Sequence, residues 1–142
     1  MIIMDTNVIS ETLRPRPNPN VIAWMRHVNI EELTTTTITT AELFNGVCHM
    51  PQGRHRSQLA KTVDYALMPF MERILPFDGA SALDYAQIRA HREAIGRPIG
   101  VQDAMIAAIA RSRGVMLATR NVRDFAHTGV TLIDPWKETA LQ

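Results

Sequence analysis

The chain opens on Met1-Ile2-Ile3-Met4-Asp5, an apolar run that closes on an acid, and a helical segment follows from Thr6. A run so short and so apolar suits a strand buried on both faces, as in parallel sheets. The figure recurs along the chain. Leu33 to Ile38 is Thr-rich and β-branched, and Ile74–Phe77, Val115–Ala118 and Val130–Ile133 are further short runs. Between them lie helical stretches: Thr6 to about Arg14, Asn20 to Val28, Thr39 to Met50, Arg54 to Met71, Gly79 to Ile95 and Val101 to Arg113. Short strands alternating with helices specify an α/β fold with a covered parallel sheet. The expectation is a three-layer α/β/α domain around a central, mostly parallel, five-stranded sheet.

Local chemistry sets the boundaries. Arg14-Pro15-Arg16-Pro17 stops the first helix. Thr39-Thr40-Ala41-Glu42 reads as a capping box, with Thr39 as N-cap and Glu42 at the third helical position. Asp78 caps the helix that Gly96 ends, and Gly114 stops the apolar helix before it. At 142 residues, 1–142 is expected to be one domain, with a loose tail from about 134. The longest stretch free of Asp, Glu, Lys and Arg is the 11 residues Leu43 to Gly53. A membrane span needs about 20 apolar residues, so no membrane partner is expected. The N-terminus lacks the basic segment of a signal peptide, and Cys48 is the one cysteine. Both point to a cytoplasmic protein.

Ligands of open parallel sheets sit beyond the carboxyl ends of the strands. Asp5 ends the first strand, Glu42 opens the helix after the second, Asp103 opens the helix after the Arg97–Gly100 loop, and Asn121 and Asp124 follow the fourth strand. All are expected at that one edge. Singly, each has a plain structural role: Asp5 as N-cap, Glu42 as capping-box acid, Asp103 as a favourable charge at a helix start, Asp124 as a turn acid. Together they would repel one another unless a cation neutralised them, and hard oxygen donors suit Mg²⁺ or Mn²⁺. Thirteen of the 15 basic residues are Arg, whose planar fork suits phosphate. Removing Asp5, Glu42, Asp103 and Asp124 from the net charge of +1 leaves +1 + 4 = +5, an acidic pit in a basic surround. Arg14, Arg16, Arg97, Arg120 and Arg123 are the candidate phosphate contacts.

Four segments in order resemble the motifs of the PIN-domain family. They are Met1 to Glu11, Thr40-Ala41-Glu42-Leu43 with Gly46-Val47, Gln102 to Ala108, and Ala118 to Phe125. The likeness continues through Ile74 to Asp78 and Asp134-Pro135-Trp136, and is greatest to the VapC toxins and their FitB-like branch. The resemblance implies a Mg²⁺- or Mn²⁺-dependent endoribonuclease, the toxin of a type II toxin–antitoxin pair. It implies Asp5 and Asp103 as metal ligands and Glu42 as the third acid. The fourth position falls to Asn121 or Asp124, and Asn121 carries no charge. The implied partners are an RNA substrate, a second copy in a homodimer, a cognate antitoxin of VapB type, and operator DNA reached through that antitoxin.

Other features weigh less. Cys48, His49 and His55 fit no zinc spacing, and Cys48 reads as a buried helix residue. Phe44, Tyr65, Phe70, Tyr85, Trp24 and Trp136 read as core. A phosphoacceptor domain with Asp5 as nucleophile lacks a second acid two residues on. A non-enzymatic partner acting mainly through an antitoxin–DNA complex remains the alternative, although its acids are intact.

Overall fold

The computed structural model describes residues 1–137. Among the described residues, four strands form one sheet: β1 (Ile2–Met4), β2 (Leu33–Thr34), β3 (Met116–Ala118) and β4 (Leu132–Ile133). Their order is β2-β1-β3-β4, and all three pairings are parallel. Six α-helices accompany them: α1 (Thr6–Thr12), α2 (Pro19–His27), α3 (Thr37–Cys48), α4 (Arg54–Leu67), α5 (Gly79–Ala94) and α6 (Val101–Arg113).

Strand alternation distributes the core to both faces. Ile2 and Met4 of β1 pack with Val8, Ile9, Val21, Trp24, Leu43, Val63 and Leu67 of α1 to α4. Ile3 points the other way, to Ile88 of α5 and the Ala104 and Ile106–Ala110 face of α6. This is the expected three-layer arrangement. The chain leaves β1 toward β2 on one side and later returns to β3 on the other, so the topological switch lies at the carboxyl end of β1, where Asp5 stands.

Among the described residues the expected five strands are four. Ile74–Phe77 makes only a single parallel bridge, Thr36 to Leu75. The Leu75 N–H donates to the Thr35 carbonyl at 3.0 Å, and its carbonyl accepts from the Thr37 N–H at 3.0 Å. There the ladder ends, because Thr37 already opens α3. The second strand therefore shrinks from Leu33–Ile38 to Leu33–Thr34.

The expected capping box is also corrected. The N-cap of α3 is Thr36, whose hydroxyl accepts from the Thr39 N–H at 3.2 Å. Glu42 lies in the second turn and plays no capping part. Asp78 and Gly114 do cap as expected: Asp78 accepts from the Ser81 N–H, and Gly114 adopts φ +64°. α4 stops at Leu67 and gives way to a 3₁₀ turn over Met68–Arg73. The segment from 134 is docked through Trp136, whose carbonyl accepts from Asn20 Nδ2 at 2.8 Å. Residues 138–142 of the expected tail lie outside the described residues. Trp24 and Phe70 are core and Tyr85 packs against it, but Phe44, Tyr65 and Cys48 are exposed.

Candidate active site

Asp5 is only 4% exposed. Its backbone is extended, so its carboxylate caps α1: Oδ1 accepts from the Thr6 N–H at 2.8 Å. Oδ2 accepts from Thr119 Oγ1 at 2.8 Å and from Asn7 Nδ2 at 3.0 Å. The register Met4 to Ala118 makes this meeting inevitable, since Thr119 is the next residue after β3. Burial pushes the Asp5 carboxyl above its ordinary value, the Thr119, Thr6 and Asn7 donors oppose that rise, and the Asp124 charge adds to it.

Glu42 is half-buried on α3 beside Thr6. Burial raises its carboxyl, the Thr6 hydroxyl opposes, and the Asp5 charge raises it further. Asp103, in the first turn of α6, is pushed up to about 6, first by burial and then by the charges of Asp5, Asp124 and Glu42, with Arg92 opposing. One group thus feels three other acids that lie 61, 98 and 21 positions away. Among the described residues, no three Asp, Glu, His or Cys side chains converge into a ready-made metal cluster. The acids share one electrostatic field from separate walls.

Asp124 and Asn121 stand differently toward the other acids. The Asp124 charge raises both Asp5 and Asp103. Asn121 instead works through its backbone: its N–H donates to Thr119 Oγ1 at 3.0 Å, and its carbonyl accepts from the Asp124 N–H at 3.0 Å. Asp124 stands in the 3₁₀ turn Val122–Phe125, beside a cleft of about 540 Å³ shared with Arg92, Arg97, Pro98 and Arg123. Glu42 lines a second cleft of about 630 Å³ with Ile38, Asn45, Gln102 and Met105, and Gln102 also borders the Asp103 cleft.

The candidate phosphate contacts divide. Arg97 and Arg123 line the Asp124 cleft. Arg120 follows Thr119 and stacks over the Trp136 ring at 5.2 Å, while its N–H donates to Asn7 Oδ1. Arg16 is exposed between α1 and α2. Arg14 lies beyond the far end of α1, roughly 13 Å of helix from Asp5, and pairs with Glu11 at 3.2 Å. Three residues at the site escape sequence reasoning. Asn7 and Thr119 look like ordinary polar residues until the β1–β3 register brings them to Asp5. Arg92 is buried, and its side chain donates to the carbonyls of Arg97, Asp124 and Ala126.

Comparison with known proteins agrees with this fold. The PIN domain family profile matches residues 2–130. Toxin FitB of Neisseria gonorrhoeae is 40% identical over 97% of this chain and 100% of its own. VapC ribonuclease Y4jK of Sinorhizobium fredii is 38% identical over 96% of this chain and 99% of its own. The solved structure of FitAB bound to an IR36 DNA fragment superposes with a TM-score of 0.91, at 38% identity and 98% of each chain. With its fold, its motif order and its full-length relatives in agreement, this chain belongs to the PIN-domain family, among the VapC ribonuclease toxins and beside FitB.

Proposed function

We propose that this protein is a single-domain cytoplasmic endoribonuclease, the toxin of a toxin–antitoxin pair, that hydrolyses RNA phosphodiester bonds with Mg²⁺ or Mn²⁺ at Asp5, Glu42, Asp103 and Asp124. The observation that carries this reading is the placement of Asp103, half-buried at the start of α6, where burial first and then the charges of Asp5, Asp124 and Glu42 raise its carboxyl. The donor set fits such an ion. All four groups are hard oxygen donors, and Mg²⁺ commonly binds through one or two carboxylates while keeping several waters, so no preformed cage is needed. When bound, the cation supplies Lewis acidity toward the phosphoryl oxygens and acidifies the attacking water.

The chain's own residues supply position. Thr6, Asn7 and Thr119 fix the Asp5 carboxylate in one orientation. Glu42, free of any capping duty, presents its carboxylate from α3. Asp103 and Asp124 approach from the α6 start and the 3₁₀ turn. Arg97 and Arg123 border the Asp124 cleft and meet the anionic backbone of the substrate. Attack of water in line with the bridging O3′ breaks the P–O3′ bond and leaves a 5′-phosphate and a 3′-hydroxyl.

A groove of about 290 Å³ between α1, α2 and α4 supports an antitoxin partner. Ile9, Leu13, Met25, Ile30, Tyr65 and Phe70 line it. An apolar antitoxin segment seated there, with a basic side chain reaching the acids, would inhibit without unfolding the toxin. Operator DNA is then contacted through that antitoxin. Exposed Phe44, Met68 and Met71 support a homodimer. No helix among the described residues is long and apolar enough to cross a membrane. The test is incubation of the pure chain with total RNA in Mg²⁺ or Mn²⁺ and in EDTA, with the ends mapped. Metal-dependent fragments bearing 5′-phosphates are expected, whereas intact RNA in Mn²⁺ refutes the reading.

A further inference from the structure

Arg92 stands in the last turn of α5, 5% exposed. A buried guanidinium ordinarily faces a carboxylate, because an unpaired interior charge is costly. Among the described residues Arg92 has no ion-pair partner. Nη1 donates instead to the carbonyls of Asp124 at 2.8 Å and Ala126 at 2.9 Å, and Nε donates to the Arg97 carbonyl. The Arg97 N–H returns a bond to the Arg92 carbonyl at 2.8 Å, around Gly96 at φ +72°. One side chain thus ties the loop that leads into α6 and Asp103 to the turn that carries Asp124. It also borders the Asp124 cleft.

We propose that Arg92 is the resident cation of the acid site, a positioning residue that clamps the Asp103 and Asp124 arms together and offsets part of their repulsion when no divalent ion is bound. The role rests on the cation-binding reading above. Its charge acts on Asp103 in the stated sense, opposing the three acids. A carboxylate partner would have neutralised the guanidinium locally. Neutral carbonyl partners leave the field of the guanidinium open to the pit.

Melting temperatures in EDTA and in millimolar Mn²⁺ test this for wild type, Arg92→Met, Arg92→Lys and Arg113→Met. Arg113 is the comparator: it clamps the Pro76 carbonyl and Asp78 and is not among the charges that act on Asp5, Glu42 or Asp103. Mn²⁺ should raise Arg92→Met by about 3 °C or more beyond the rise in wild type, because the ion takes over the lost neutralisation. Arg113→Met should melt lower in both media with the wild-type rise. Arg92→Lys keeps the charge without the planar fork, so it should melt lower in both media and also show the wild-type rise. Equal rises in Arg92→Met and wild type reduce Arg92 to a structural clamp and overturn the proposal. Should Arg92→Met fold in neither medium, adding Asp103→Asn decides: recovered folding supports the countercharge, continued failure refutes it. No rise in any of the proteins, wild type included, refutes cation binding at the site itself.

Discussion

Asp103 concentrates the electrostatics of the site in one carboxyl. Its folded value of about 6 lies above the ordinary 3.8, so the native state keeps a proton that the unfolded chain releases. The stability tied to that proton is complete below pH 3.8 and is lost as pH rises through about 6. In EDTA, wild type should therefore lose melting temperature from pH 5 to pH 7.5 more steeply than Asp103→Asn. At pH 7.5 the variant should melt above wild type. Parallel profiles would show that Asp103 is not under strain from its neighbours. Asp5 and Asp103 stand out in the sequence because one ends a short apolar run and the other opens a helix, whereas Glu42 sits in the second turn of α3 and Asp124 within a 3₁₀ turn. Arg92 is not legible. Nothing in an α5 rich in Arg and His marks which cation turns inward, and its partners are carbonyls 5, 32 and 34 residues away.

At the scale of elements, helix boundaries set by distinctive residues read well, and those set by repeated residues do not. α6 runs from Val101 to Arg113 as expected, between Gly100 and a left-handed Gly114. At α3, Thr34–Thr37, Thr39 and Thr40 offer several candidate caps, and the Thr39/Glu42 pair satisfies the capping-box pattern. Backbone pairing decides otherwise: the bonds of Leu75 to Thr35 and Thr37 hold Thr36 extended, so the cap falls there. The shift releases Glu42 for the acid site. Thr36→Ala should cost about 1 kcal/mol of stability by chemical denaturation. Glu42→Gln should leave stability equal or higher and reduce cleavage by about 100-fold or more. A Glu42→Gln variant as unstable as Thr36→Ala would return Glu42 to a capping role. The missing fifth strand has the same origin, since the partner of Leu75 turns into helix after one bridge.

For the whole molecule, the sheet places chemistry at its carboxyl edge and leaves apolar surface on the α1–α4 side. Tyr65 is 78% exposed at the rim of the groove there, although helical spacing marks it as core. Spacing reports which residues share a face but not whether a partner covers that face. Tyr65→Asp should weaken binding of the neighbouring gene's antitoxin about 10-fold or more, with cleavage by the free toxin unchanged. Undiminished binding would move the antitoxin elsewhere. Light scattering should find a dimer at micromolar concentration, and a strict monomer would refute the homodimer. The single-turnover cleavage rate of one mapped RNA in Mn²⁺ by wild type, Asp5→Asn, Asp103→Asn and Asn121→Ala decides whether these acids carry the hydrolysis. Loss of about 100-fold or more in both aspartate variants, with their fold intact and Asn121→Ala near wild type, is the predicted result. Wild-type rates in Asp5→Asn or Asp103→Asn would contradict it.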